Sequence, residues 1–168
     1  YLPNTTSATK SLADLIAFNQ KTEREMALFD QSIFLLANDM AGLKSDGYKD
    51  ARALTFKATR EDGIDFYLRE YEVDLLVAPS GSIAPRIDAI NGDVWPGFAG
   101  IGWMAAIAGY PHATVPMGTV KELPMGLSFI ASAGDDLKVL KAAFNYEQAS
   151  QARVVPKFCA SSSDLPSV

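Results

Sequence analysis

The sequence predicts an α/β fold in which helices precede and follow a small set of strands. Two observations carry this prediction. Apolar residues recur at helical spacing over residues 11–71 and again over residues 134–153, and three short apolar runs of strand length lie between them. Hydrophobic residues make up 48% of the 168 positions, which is enough to bury the core of one domain.

Three helices are predicted in the first part of the chain. Ser11, a residue type preferred at helix N-caps, precedes the first of them. A second helix is predicted to end before Gly42, because apolar residues recur at i, i+4, i+7, i+8 and i+11 from Phe29. The third runs over residues 48–71, and Gly63 predicts a kink within it.

Three strands are predicted next. Residues 73–78 form a short apolar run closed by Pro79, which is typical of a strand buried on both faces. Residues 113–117 and 125–132 are two further β-rich runs separated by a polar turn. Their spacing predicts neighbouring strands or a hairpin.

The last predicted helix begins at two acidic residues, Asp135 and Asp136. Adjacent helical positions point about 100° apart, so these carboxylates are interpreted as helix-capping groups rather than as a paired acid and base. One face of this helix carries four residues at helical spacing: Leu137, Leu140, Phe144 and Gln148.

Residues 94–120 contain no Lys, Arg, Asp or Glu, which raises the possibility of a membrane span. Pro96, Pro111, Pro116 and five glycines interrupt this segment. Each proline removes a helix hydrogen bond, so we interpret the segment as short buried elements of a globular core and expect no membrane partner.

Charge and cysteine content exclude other classes of protein. The net charge is −5 and no basic run occurs, which argues against a nucleic-acid partner. A single cysteine, Cys159, forms no internal disulfide and favours a reducing, cytoplasmic compartment. One histidine and one distant cysteine do not make a nitrogen and sulfur metal site, and no cofactor is expected. No secretory leader precedes the first helix, and because the sequence starts at Tyr1 we interpret it as an excised piece.

Serine chemistry is the remaining candidate. Ser80 and Ser82 follow a predicted strand, the position where sites in α/β proteins often lie, and His112 is the only histidine. The surrounding Pro-Ser-Gly-Ser-Ile is not the Gly-x-Ser-x-Gly turn that exposes a nucleophile. A self-contained serine hydrolase using Ser80 or Ser82 with His112 stays open, and it requires these groups within hydrogen-bond reach.

A set of motifs in fixed order resembles the C-terminal part of the amidase signature family, serine hydrolases that cleave amide bonds with a Ser-cisSer-Lys triad. The resemblance covers residues 11–158, and the motifs are LADLIAFNQ, ALFDQSIF, VDLLVAPS, AGYPHATVPMG, LPMGLSFIASAGDDLKVLKAAFNYEQA and ARVVPKF. RIDAINGD before WPGFAG is similar to the branch that includes bacterial peptide amidases.

The resemblance implies a mixed β-sheet covered by α-helices, with residues 1–158 as the C-terminal portion of an amidase domain and residues 159–168 as a polar tail. The family's Gly/Ser-rich run and its lysine setting do not occur here, so the triad is expected upstream and this chain alone is expected to be inactive. A Ser-Ser-Lys mechanism needs no imidazole, and His112 is therefore interpreted as structural, on the strand that follows a helix over residues 99–109.

The resemblance also implies a substrate and partners. The expected substrate is a small-molecule or peptide amide, and the expected partner is the missing N-terminal portion of the same enzyme, with self-association of the fragment as a consequence of its absence. A non-catalytic binding or scaffold module is the other alternative. Five residues are expected to line the substrate pocket: Pro79, Ser80, Trp95, Phe98 and Trp103.

Overall fold

The computed structural model describes residues 4–85, 88, 90, 92, 97, 100–156 and 158, which form two compact units, residues 1–50 and 51–168. Of the expected pocket residues, Trp95 and Phe98 lie outside the described residues, as does the predicted tail over residues 159–168. Within the part that is described, no helix has the length and hydropathy that crossing a bilayer requires.

The first unit contains helices α1 (Leu12–Lys21), α2 (Glu23–Met26) and α3 (Ser32–Asn38). The predicted cap of α1 is confirmed. Ser11 Oγ accepts a hydrogen bond from the Asp14 amide, and the Asp14 carboxylate accepts one from the Ser11 amide, so both free amides are satisfied. The backbone amide of Lys10 and the hydroxyl and amide of Ser11 hold the pKa of Asp14 below its usual value.

The second predicted helix is present as α3, but it starts at Ser32, three residues after Phe29. The buried side chain of Gln31 links α3 to α1, since it donates to the Ile16 carbonyl at 3.4 Å and accepts from Asn19 at 3.2 Å. The apolar stripe of this region is exposed in the described chain. The short helix α2 was not predicted from the sequence.

The long third helix is confirmed together with its kink. It consists of α4 (Asp46–Thr59), a π-helical turn (Arg60–Ile64) and α5 (Asp65–Glu70). Gly63 has a backbone conformation outside the helical range, with φ −113° and ψ −107°. A Cβ atom at this position would lie 2.7 Å from the Ala58 carbonyl oxygen, so glycine is required where the chain changes its winding.

The second unit contains strands β1 (Leu76–Pro79), β2 (His112–Val120) and β3 (Leu123–Ile130), and the order across the sheet is β1-β3-β2. Both neighbouring pairs are antiparallel, and the predicted hairpin of β2 and β3 is confirmed. Its two-residue turn, Lys121 and Glu122, has positive φ at both positions, which matches the twist of a tight hairpin.

Helices cover both faces of this sheet, which confirms the α/β fold class. Ile130 packs with Ile64 of the π-helical turn and with helix α6 (Gly102–Ala108) on one face. Phe129, its neighbour along β3, packs on the opposite face with helix α7 (Asp136–Ser150). Successive strand residues point to opposite faces, so β3 is the central element of two apolar clusters.

One sequence expectation in this unit was wrong, and a second was confirmed only in part, since the last helix begins as predicted with Asp135 at its N-cap and Asp136 in its first turn. Strand β1 was expected to be buried on both faces, but its residues alternate and Val77 is 51% exposed, because β1 lies at one side of the described sheet. Asp135 occupies the N-cap position of α7 without a capping hydrogen bond from its side chain. Its carboxylate instead pairs with Lys138 at 3.0 Å, and this contact and that with Asp74 raise the pKa of Lys138.

Helix α7 packs on the sheet with Val139 and Ala143, which are buried. The larger apolar residues of the predicted face, Leu137, Leu140 and Phe144, are 60–63% exposed. Small side chains at the contact let the helix lie close to the sheet, and the bulkier stripe stays largely exposed in the described chain.

Candidate functional site

Four polar side chains on one face of the sheet form a hydroxyl–imidazole cluster. Ser80 follows β1, His112 and Thr114 lie on β2, and Ser128 lies on β3. The register places Ser128 opposite Thr114, and the Ser80 amide donates to the Gly126 carbonyl at 2.7 Å. Residues two apart on a strand share a face, so the pairing of three strands assembles these side chains on the face that α6 covers.

Ser128 is the centre of the cluster and is completely buried. Its Oγ lies 2.7 Å from His112 Nε2 and 2.8 Å from Ser80 Oγ. Thr114 Oγ1 lies 3.3 Å from each of the other three polar atoms, namely Ser128 Oγ, Ser80 Oγ and His112 Nε2. The two short contacts therefore make a chain from imidazole to Ser128 to Ser80, and Thr114 closes it with longer contacts.

Three glycines give this cluster its space. A Cβ atom on Gly126 would lie 2.7 Å from Thr114 Cγ2 and 2.8 Å from Ser80 Oγ. A Cβ atom on Gly102, the first residue of α6, would lie 2.8 Å from Cε1 of the His112 ring. Gly100 is buried with φ +81°, and a side chain there would overlap the Ser80 carbonyl oxygen. The backbone thus approaches the cluster more closely than any larger residue permits.

Helix α6 is fixed at its other end by a cationic and aromatic contact. Arg60 Nε donates to the Ala108 carbonyl at 2.8 Å, and the guanidinium stacks on Phe56 at 4.0 Å. The Tyr110 hydroxyl donates to the Asp65 carboxylate at 2.7 Å. Burial, and next the hydrogen bond to Asp65, raise the pKa of Tyr110. These bonds anchor the segment that leads from α6 into His112.

The cluster differs from a catalytic triad. Among the described residues, no carboxylate is hydrogen-bonded to the His112 imidazole, and Ser80 reaches that ring only through other hydroxyl groups, by short contacts through Ser128 and by longer ones through Thr114. In the part of the chain that the structure describes, Ser82 makes no hydrogen bond to His112 or to Ser128. A triad needs a direct bond from nucleophile to base and a third group that orients the base. No group of three or more His, Cys, Asp or Glu side chains within the described ranges is arranged to hold a metal ion.

Three of the five residues expected to line the pocket lie in the described part of the chain. Pro79 is the last residue of β1 and Ser80 belongs to the cluster. Trp103 is 52% exposed and follows Gly102, where an added Cβ atom would lie 2.8 Å from Cε1 of the His112 ring. The sequence prediction missed Thr114 and Ser128. The only sequence feature that pointed to them was spacing. Thr114 lies two residues after His112 on one strand of the predicted hairpin, and Ser128 lies two residues after Gly126 on the other.

Comparison with known proteins gives several matches to amidases, and no protein-family profile matches the chain. A probable amidase of Arabidopsis thaliana is 29% identical over 158 residues, which is 92% of this chain and 27% of the relative. A structure of the native peptide amidase from Stenotrophomonas maltophilia is 37% identical with a TM-score of 0.81, over 94% of this chain and 31% of that one. A peptide amidase in complex with the competitive inhibitor chymostatin is 40% identical with a TM-score of 0.83, over 90% and 31%.

These matches confirm the predicted resemblance to amidase signature enzymes and the fold expected from it. The chain is similar to these proteins over nearly all of its own length. It spans about 30% of theirs.

Proposed function

We propose that this chain is the C-terminal portion of an amidase that hydrolyses carboxylic or peptide amides, and that it supplies one wall of the substrate pocket. The observation that carries the proposal is similarity over 90% or more of this chain to peptide amidases of which it spans about one third. In this proposal residues 1–158 are amidase domain and residues 159–168 are a tail.

The proposed wall is the end of β1 together with the start of α6. Pro79 and Ser80 are half-buried or exposed where β1 ends, and Trp103 offers a large, partly exposed ring at the first turn of α6. Aromatic side chains provide apolar contact area with few rotamers to freeze, while a hydroxyl orients a polar ligand group. Trp95 and Phe98 complete the proposed set from the segment between these elements.

The proposed nucleophile lies upstream of this chain, in the Ser-cisSer-Lys triad that the resemblance implies. The described cluster supports this division. Within the described residues no carboxylate orients the His112 imidazole, and Ser80 is joined to it only through the hydroxyls of Ser128 and Thr114, so the direct base contact of a serine hydrolase is lacking. That same bridge is the one observation in favour of the second candidate, a self-contained hydrolase that uses Ser80 and His112.

The substrate in this proposal is a small-molecule or peptide amide, and the partner is the upstream portion of the same enzyme. A peptide amidase 40% identical to this chain binds the competitive inhibitor chymostatin, which supports a ligand of this kind. Higher identity to the Stenotrophomonas enzyme than to the plant relative supports a bacterial source. The single cysteine, Cys159, supports a cytoplasmic location.

A hybrid amidase tests the proposal. The matching portion of the Stenotrophomonas maltophilia peptide amidase is replaced by this chain, and release of ammonia from a peptide amide is measured. We expect turnover by the hybrid, and none by the upstream portion alone or by this chain alone. A hybrid that melts cooperatively but has no turnover would overturn the proposal. Turnover by the isolated chain that is lost in Ser80→Ala would favour the self-contained hydrolase.

A further inference from the structure

We propose that His112 and Ser128 are positioning residues for the Ser80 hydroxyl, which they hold as a hydrogen-bond donor to a carbonyl oxygen of the substrate. This inference rests on the proposed function in one respect, namely that Ser80 lines the substrate pocket. The expected ligand group is the carbonyl of an amide or peptide bond. The evidence is the direction of hydrogen bonding through a buried hydroxyl.

Ser128 has a single proton and two short contacts to share it. Its hydroxyl donates to Ser80 Oγ at 2.8 Å, so it has no proton left for His112 Nε2, which lies 2.7 Å away. The imidazole must then carry its proton on Nε2 and donate it to Ser128. The complete burial of Ser128 excludes water as an alternative partner for its hydroxyl, so its proton is shared among these side chains alone.

Ser80 accepts the Ser128 proton, and its own proton therefore points elsewhere. Within the described residues that proton goes to Thr114 Oγ1 at 3.3 Å, well beyond the usual length of a bond between hydroxyl groups. Thr114 is exposed and Ser80 is half-buried, so a ligand can reach this contact. A substrate carbonyl oxygen at normal hydrogen-bond distance from Ser80 Oγ would displace the long bond to Thr114. The hydrogen bonds from His112 to Ser128 and from Ser128 to Ser80 would strengthen the bond from Ser80 to the carbonyl.

Burial of the Ser128 hydroxyl costs free energy, and packing of the core does not require a hydroxyl at this position. Ser128 places a buried hydroxyl beside Ile130 and the apolar cluster of α6, where a residue without polar atoms would need no partner. Gly126 leaves the space that Ser80 and Thr114 occupy. Ser128 and His112 thus provide the hydrogen bonds, and Gly126 provides the space for them. This arrangement fits a site that presents Ser80 to a ligand.

The first test uses the single histidine of the full 168-residue chain. A ¹⁵N-imidazole NMR spectrum then reports on His112 alone, at a pH where the ring is neutral. We expect the Nε2–H tautomer in the parent chain, and changed ring signals in both Ser128→Ala and Ser80→Ala, although Ser80 makes no direct contact with the ring. Thr119→Val, on the same strand outside the cluster, is the matched control and should leave the signals unchanged. A predominant Nδ1–H tautomer in the parent would overturn the inference.

The second test is a double-mutant cycle in the hybrid amidase. We expect Ser80→Ala to raise KM about threefold to tenfold with kcat nearly unchanged, as for loss of one neutral hydrogen bond to the substrate. His112→Phe should raise KM similarly, while His112→Gln, whose side-chain amide nitrogen can reach Ser128, should restore it. In the Ser80→Ala background, His112→Phe should have no further effect on KM.

The outcomes separate the two proposals. An inactive but folded hybrid contradicts the proposed function, and the NMR spectrum still decides the direction of the hydrogen-bond chain. An active hybrid in which the two substitutions act additively, or in which Ser80→Ala leaves KM unchanged, contradicts only the positioning role.

Discussion

Gly126→Ala is expected to destabilise the chain through the hydroxyl–imidazole cluster. The added Cβ would lie 2.7 Å from Thr114 Cγ2, 2.8 Å from Ser80 Oγ and 3.2 Å from Ser80 Cβ, and both neighbours are short side chains with little freedom to move away. Overpacking of this kind costs about 1–3 kcal/mol, and the reduced entropy of the unfolded chain offsets about 0.4–1 kcal/mol of it. At the middle of both ranges the net loss is about 1.3 kcal/mol, which corresponds to a fall in Tm of about 3–5 °C for a chain of this size.

The assay is thermal unfolding of the 168-residue chain at one fixed concentration for every variant, because self-association makes Tm depend on concentration. Gly47→Ala is the matched control. Gly47 lies in α4 with nothing within 4 Å of an added Cβ, so the same substitution should stabilise the chain there. Adding Thr114→Ser to Gly126→Ala removes the nearest clashing atom and should recover part of the loss. A Gly126→Ala variant as stable as its parent would refute the reasoning.

Four further predictions follow from the fold and the proposed function. The isolated chain should release no product from aryl or aliphatic amides; turnover that disappears in Ser80→Ala or Ser82→Ala would contradict this. In the hybrid amidase, His112→Asn should lower the rate only a few-fold, whereas removal of a general base costs about a hundredfold or more. The free energy of unfolding should fall as pH rises above about 10. Burial and the hydrogen bond to Asp65 raise the pKa of Tyr110, so at this pH the folded state keeps a proton that the unfolded state has lost. Urea titrations at several pH values should show a smaller fall for Tyr110→Phe. The chain should also self-associate in sedimentation experiments through its exposed apolar stripes, and a monodisperse monomer with a cooperative transition above about 60 °C would count against this.

Local structure was predictable wherever one residue type has a single strong physical reason for its position. Ser11 was identified as a cap because its hydroxyl satisfies a free helix amide, and Gly63 was identified as a kink because a glycine inside a helical pattern weakens it. The hairpin of β2 and β3 followed from two β-rich runs around a polar turn. Helix α2 is only four residues long, too short for apolar periodicity to reveal.

The packed face of α7 was not predictable in the same way. Two sets of apolar residues share this helix, and the sequence pattern favoured the larger ones, Leu137, Leu140 and Phe144. The sheet instead contacts Val139 and Ala143, since small side chains allow close approach to Phe129. Which of two apolar faces is buried depends on the surface that the helix meets, and that surface is formed by residues distant in the chain.

The sequence by itself determined the α/β class, most of the element order and the resemblance to amidases, because these depend on local propensity and on motifs that occur within short stretches of chain. It also supplied Ser80 and His112 as polar residues near strand ends. Only the tertiary structure joined them through Ser128 and surrounded them with Gly100, Gly102 and Gly126. The physical reason is register: a slip of one residue in either strand pairing would turn Ser128 to the opposite face, and register is a property of paired strands that no single segment contains.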